Sequence, residues 1–266
     1  ISIEPNVTHE YTVKVTFLDT GEPQNYNKNK LFSGKFGISE YKAPNLATDS
    51  WTTIAENVRA GNGSDYEVGS TKTIDMGSYG THTLRVANTS TPDECKTEGF
   101  SQTACGFVLE FTDIITSYAM TNGYTNVGGW PATLMRTFVN NDIYNTLPSE
   151  LQNVIIDTMV VSGHGREDTE NFTSTDKLYL LSLKELYSDG NLGFDTAKDL
   201  SRTLDYYKAK GVTTNNYSEL KKSSFWRLRT ATLTSNNFIT IGYEGKWNAD
   251  SYSNAALGVS PAFRIG

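Results

Sequence analysis

The C-terminal stretch, residues 222–266, carries no helix signal. It contains WRLRT (226–230), then many Ser, Thr, Asn, Gly and Tyr, then GVSPAFRI (258–265). Short apolar runs over 225–230, 238–242 and 258–265 predict strands with loops between them. The segments before it mix both periods. Ser50 is a candidate N-cap, Ile54 and Val58 lie four apart, and Gly61 is a stop, which predicts a helix. TKTIDM (71–76) and THTLRVAN (81–88) alternate around GSYG and predict a hairpin. GFVLEFTDII (106–115) is nearly continuous in apolar residues and predicts a central strand. A helical region is expected from Pro131 to Leu147, with Leu134, Met135, Phe138 and Ile143 as its apolar face. Another follows Pro148, with Leu151, Val154 and Ile155 recurring at helical spacing. TMVV (158–161) and KLYLLSL (177–183) predict strands. Asp195–Lys210 predicts a helix with Leu200, Leu204 and Tyr207 inward and Gly211 as its stop. This order fits a mixed α+β domain whose termini lie side by side in one sheet.

The N-terminal part differs. YTVKVTFL (11–18) alternates like a strand, and a polar stretch from Gly21 to Lys30 follows. Residues 1–45 are therefore expected to be a β extension or linker, and 46–266 the main domain. At 266 residues the chain is long enough to bury a real core. No apolar run approaches the roughly 20 residues needed to cross a bilayer. No basic-then-apolar leader is present, and Ile1 suggests a mature or trimmed product. A net charge of −7 argues against a nonspecific grip on nucleic acid, which needs a basic stripe.

Candidate chemistry is sparse. Cys95 and Cys105 enclose a polar loop; they either form a disulfide in an exported chain or stand as one buried and one incidental thiol. No C-x-x-C, H-E-x-x-H, G-x-S-x-G, Walker A or dinucleotide fingerprint is present, so no metal, cofactor or catalytic residue is assigned. His164 lies in SGHGRED near Ser162 and Asp168, but triads assemble in space, and a surface loop is expected. Trp247-Asn248-Ala249-Asp250 is similar to a calcium-lectin W-N-D, yet the inserted Ala moves the Asp across the pleat. Glu4-Pro5-Asn6 matches the companion motif in the wrong part of the chain.

The polar tract between Arg229 and Gly258 is the most informative segment. Tyr and Trp offer stiff contact area with a polar tip, and Ser, Asn and Gly offer adaptable hydrogen bonding, as in a binding surface. Phe238, Ile239, Ile241, Ala256 and Leu257 punctuate it as scaffold would.

Residues Trp226–Arg264 carry a signature, W-x-L-R-S…G-V-R-P-A-F, at Trp226, Leu228, Arg229, Thr230, Gly258, Val259, Pro261, Ala262 and Phe263. Ser260 stands where the signature more often has Arg. SWTTIAENVRAG, GGWPATLMRTFVNNDIYNTLPSELQNVI and STDKLYLLSLKEL add to the likeness. Over roughly Ser50–Gly266 the chain resembles domains of gut Firmicutes surface proteins and phage tail-associated proteins. These are similar to the C-type-lectin-fold variable proteins of diversity-generating retroelements. The resemblance implies an α+β, C-type-lectin-like fold with mixed and antiparallel sheets, flanking helices and a loop-rich C-terminal region. It implies a display face for a protein or glycan ligand, outside the cell or on a virion. Carried over by position, that face comprises Thr232, Thr234, Ser235, Asn236, Asn237, Tyr243, Glu244, Lys246, Trp247, Asn248, Asp250, Tyr252 and Asn254. Adenine mutagenesis of Asn codons reaches most of these residue types but not Glu244, Lys246 or Trp247, so the tract permits retroelement diversification without requiring it. Formylglycine-generating enzymes have a related fold but use a cysteine pair near the C-terminus; here both cysteines precede residue 106. The alternatives are a structural module of a tail fibre or surface stalk and, behind it, an enzyme of unknown type.

Overall fold

The computed structural model describes residues 43–189 and 198–266. The chain divides into two compact units, residues 1–42 and Ala43–Gly266. The strand expected at 11–18, nearly all of the expected extension, the Glu4-Pro5-Asn6 match and the start of the helix expected from Asp195 lie outside the described residues.

Helix α1 spans Trp51–Arg59, with Ser50 Oγ accepting from the Thr53 N–H as its N-cap. Its apolar face buries Trp51, Ile54 and Ala55, and Gly61 follows the C-cap at φ 85°. The hairpin β1 (Thr71–Asp75) and β2 (Thr81–Asn88) comes next. β3 (Val108–Phe111) is entirely buried but shorter than the run 106–115 implied, because the chain turns out of the sheet after Phe111 and resumes as β4 (Thr116–Tyr118).

The expected helix over 131–147 is broken. A 3-10 turn at Trp130–Ala132 precedes α2 (Leu134–Phe138), then a π-turn at Val139–Ile143 and a 3-10 turn at Tyr144–Thr146. Thr133 restarts the helix as an N-cap. The Asn140 amide leaves the helical pattern to accept from the main-chain N–H groups of Lys177 and Leu178 and to donate to Leu178 O. Helix α3 (Ser149–Gln152) follows Pro148. β5 (Thr158–Ser162) pairs antiparallel with β6 (Phe172–Asp176), and β7 (Leu178–Leu180) leads into α4 (Leu183–Leu186).

The second helical expectation also shrinks, to α5 (Asp205–Ala209). Leu204 and Tyr207 are buried as expected, but Leu200 is 48% exposed. Polar bonds hold the chain before α5 extended: Ser201 Oγ donates to Glu185, and the Leu204 N–H donates to Glu185 O. The strands β8 (Trp226–Ala231), β9 (Phe238–Ile241), β10 (Trp247–Asn248), β11 (Leu257–Val259) and β12 (Pro261–Arg264) complete the chain.

Among the described residues the fold is α+β, with two five-stranded sheets and one two-stranded sheet. The first sheet is ordered β1-β2-β3-β12-β7 and is antiparallel throughout; the second is β10-β9-β8-β11-β4, antiparallel except for β8 beside β11. The C-terminal strand thus pairs with β3 and β7 rather than with the first described strand. Ser260 is the single residue between β11 and β12, so one continuous segment crosses from one sheet to the other. Trp130, Trp226, Phe111, Phe238, Phe263 and Ile54 are sealed in the core. Each large apolar side chain of this kind contributes roughly 1.5–3 kcal/mol.

Cys95 and Cys105 form a disulfide, Cα–Cα 5.9 Å, closing the loop between β2 and β3 and deciding between the two readings of that pair. No helix among the described residues is long and apolar enough to cross a membrane.

Candidate ligand-binding face

The face grows out of the edge of the second sheet, β8-β9-β10. WRLRT is β8, every residue of it buried, and GVSPAF supplies β11 and β12. Glycine at 258 is required by this register. A Cβ there would lie 2.7 Å from both Phe225 O and Ile114 Cδ1, and the Gly258 N–H donates to Phe225 O at 2.9 Å. Beneath the sheet, Arg229 and Glu185 form an ion pair with both side chains fully buried, 2.6 Å and 2.7 Å across its two closest contacts. Burial pushes the Glu185 carboxyl up. The Arg229 charge, with hydrogen bonds from Arg229, Thr103 and the Ser182 N–H, outweighs this and holds it below the usual carboxylate range. Nearby Asp199 goes the other way. Burial raises it, against the pull of Arg229 and hydrogen bonds from Thr230 and the Gly163 N–H.

Two loops, 232–237 and 249–256, rise from this base, and several of their anchors come from outside them. The Asn126 amide donates to Thr232 O, Ser235 O and Asn237 O at 2.9–3.1 Å. Arg227 is buried and is surrounded by main-chain carbonyls: Ala255 O at 2.9 Å, Ser251 O at 3.3 Å, and Tyr252 O. Burial alone lowers its pKa to about 10, so it stays charged at neutral pH. The Met120 and Thr121 N–H groups both donate to Ser253 O. Gly165, in the SGHG segment, has its place in the same support, since a Cβ would lie 2.5 Å from Asn126 Oδ1.

The thirteen residues assigned to the face divide by exposure. Thr234, Tyr243, Glu244, Lys246, Asp250, Tyr252 and Asn254 are exposed, with Tyr243 at 60% and Tyr252 at 62%. Ser235, Asn236, Trp247 and Asn248 are half-buried, and Trp247 packs on the core. Thr232 and Asn237 are buried and do not belong to an outward face. Thr232 Oγ1 bonds Ser235 O at 2.8 Å, and Asn237 Nδ2 donates to Ala249 O at 2.8 Å, so both spend their polar atoms holding the loops. Conversely, Ala256 is exposed rather than scaffold.

The outward aromatics form two groups. Tyr252 meets Tyr124 edge to face, centroids 5.2 Å apart, with Tyr124 46% exposed. At the other end of β9 the turn Gly242–Lys246 carries a shallow pocket of about 150 Å³. Its apolar wall is Phe225, Tyr243 and Trp247; Glu244, Lys246 and Asn248 line the rest. Phe225 and Tyr243 pack edge to face at 6.0 Å. The turn is pinned from below: Tyr187 Oη donates to Gly245 O, and a Cβ on Gly245 would fall 2.2 Å from Tyr217 O.

Four supporting or lining residues escape sequence reading: Asn126, Arg227, Phe225 and Tyr124. Arg227 occupies the unspecified position of W-x-L-R, and a buried Arg bonded only to carbonyls leaves no charge pattern in a sequence. The His164 constellation does not assemble. Its Nδ1 contacts Gly165 O, Asp168 accepts from the Gly128 N–H, and Ser162 is sealed within β5. Asn248 Oδ1 accepts from the Asp250 N–H in a local turn, and no group of three His, Cys, Asp or Glu that could hold a metal occurs among the described residues.

Residues 106–266 match the family described as a domain of unknown function, DUF6273. The chain belongs to the DUF6273 family. The DUF6273 region contains β3 to β12 and both loops of the face, whereas α1 and the β1–β2 hairpin precede it. No curated protein and no solved structure matches the chain.

Proposed function

We propose that this DUF6273 chain is a non-catalytic ligand-binding module with a C-type-lectin-like arrangement, carried on a bacterial surface or a phage particle. One observation carries the reading: Arg227 and Asn126 grip the loops 232–237 and 249–255 through main-chain carbonyls. A loop held this way can change its outward side chains without losing its anchors, which is what a display surface needs. The exposed rings Tyr243, Tyr252 and Tyr124 supply stiff contact area of the kind that dominates binding surfaces. The disulfide supports an oxidising location. A closing segment shared between two sheets, with long loops rising from one of them, supports the lectin-like arrangement. The ligand is a protein or a glycan, and no cofactor takes part.

The test uses the Tyr243→Ala/Tyr252→Ala double variant; Trp247 is left intact because its ring packs on the core. Labelled protein is incubated with intact gut bacterial cells and with mucin-coated surfaces. Wild type is retained, and the variant loses retention at least tenfold with Tm within about 2 °C. Equal retention of both proteins, or a variant that unfolds, overturns the proposal. A stable trimer on sizing that buries residues 232–254 supports the structural alternative instead.

A further inference from the structure

We infer that the pocket in the Gly242–Lys246 turn is a subsite for a single neutral pyranose ring, bound by stacking and hydrogen bonds without a divalent cation. The inference rests on the reading of the C-terminal face as a binding surface and names the ligand class for one part of it.

Size comes first. At about 150 Å³ the pocket is well below the roughly 300–1,000 Å³ of sites that enclose drug-sized ligands, so it suits one small ring. The wall offers an exposed Tyr243 ring and a half-exposed Trp247 ring, flat apolar faces on which the C–H face of a sugar can lie. The same lining includes a carboxylate, an ammonium and an amide: Glu244, Lys246 and Asn248. Neither Glu244 nor Lys246 forms an ion pair among the described residues, and Asn248 spends its Oδ1 but not its N–H donors on the protein. Together they provide donors and acceptors in the mixture that vicinal hydroxyls require.

Two alternative ligand classes fit less well. A quaternary ammonium needs rings set around an open space. Here Phe225 and Tyr243 touch edge to face and leave no gap between them, and Lys246 opposes a cation. An anion meets Glu244 beside Lys246, so the two charges offset each other. A neutral, hydroxyl-rich ring is the class that uses both the rings and the polar groups of the pocket.

The site is preformed. Tyr187 and Tyr217 fix the turn from below, and Gly242 forms part of the floor. A Cβ on Gly242 would sit 3.5 Å from Phe225 Cε1 and 3.5 Å from Lys246 O, in ordinary contact, and its backbone is not left-handed. Gly242→Ala therefore adds a methyl group to the pocket lining without strain, and Tyr243→Ala removes one of its three rings.

The experiment is saturation-transfer NMR on the full chain in EDTA, with methyl glycosides of glucose, galactose, mannose and N-acetylglucosamine, and tetramethylammonium as the cationic probe. At least one glycoside is expected to receive saturation on its C–H face, with a Kd of roughly 1–10 mM for so open a site. Gly242→Ala and Tyr243→Ala each weaken it at least tenfold, and Glu98→Gln, at an exposed position outside the C-terminal face, leaves it unchanged. No transfer to any glycoside, transfer only after calcium is restored, transfer to tetramethylammonium in place of sugar, or binding that Gly242→Ala leaves intact each overturns the subsite. If the sugars fail while cell retention still depends on Tyr243 and Tyr252, the subsite fails alone. If retention fails as well, the display reading falls with it.

Discussion

At the residue scale, the signature positions are fixed by contacts that the letters do not show. Gly258 allows β11 to lie against β8, because a side chain there would collide with Phe225 O and Ile114. Gly258→Ala should cost about 1–3 kcal/mol, the range for overpacking, read as a lower urea midpoint at unchanged m. A midpoint unchanged from wild type would mean that the strands separate freely. Arg229 pairs with Glu185 beneath the same strand. Ser260, where the signature more often has Arg, donates from its Oγ to Phe111 O at 2.9 Å and takes a bond from Lys222 Nζ. This position is buried, so Ser260→Arg would have to displace the Lys222 amine or reach past it.

At the element scale, the loops 232–237 and 249–256 depend on donors outside them, Asn126 being more than 100 residues away in sequence. Asn126→Ala leaves the Thr232, Ser235 and Asn237 carbonyls without their shared donor, at a cost of about 1–3 kcal/mol. Amide exchange should accelerate over 232–237 while β3 stays protected. A combined Thr234→Ser, Asp250→Ser, Asn254→Ser variant should melt within about 2 °C of wild type, since these exposed side chains leave the carbonyl anchors alone. A large loss of stability in that variant would show the loops to be held by their own side chains. This contrast explains what was legible in the sequence. The hairpin, the central strand and the β8 and β11–β12 scaffold follow from alternation and apolar runs, whereas only the resemblance puts Tyr243 and Tyr252 on an outward face. The short α2 and α5 were not legible, because Asn140, Ser201 and Glu185 break the helical period through tertiary bonds. The resemblance places Thr232 and Asn237 outward, yet they close the loop from inside. Phe225 escaped because its role depends on a turn 17–21 residues later.

At the scale of the whole molecule, the buried charges shape the pH response. Lys222 lies 4.5 Å from the Trp226 ring and donates to Phe111 O at 2.7 Å; burial lowers its pKa to about 8, against the pull of Glu110. The unfolded chain keeps that proton to about pH 10.4, so stability should rise as pH climbs from about 8 toward 10. Burial lowers Lys72 in the same direction. Above about pH 10 the trend reverses, because burial raises Tyr179 and Tyr207 and only the unfolded tyrosines ionise there. On the acid side, Glu185 and Asp205 lie below their ordinary values despite burial, Glu185 through Arg229 and Asp205 through hydrogen bonds from Ser90, Thr89 and Arg202. Their stabilisation is complete above about pH 4 and is lost as pH falls through the folded values. Urea unfolding across pH should show the alkaline rise in wild type and most of it removed in Lys222→Met; a flat profile from pH 8 to 10 would refute the assignment.

The crossing at Ser260 has a consequence for synthesis. β11 fills the gap between β8 and β4, and β12 fills the gap between β3 and β7, so each sheet takes an interior strand from residues 257–264. While the ribosome still holds residues 257–264, neither sheet can zip shut, and the nascent polypeptide shows unpaired seams on both. Emergence of residues 257–264 closes the two together.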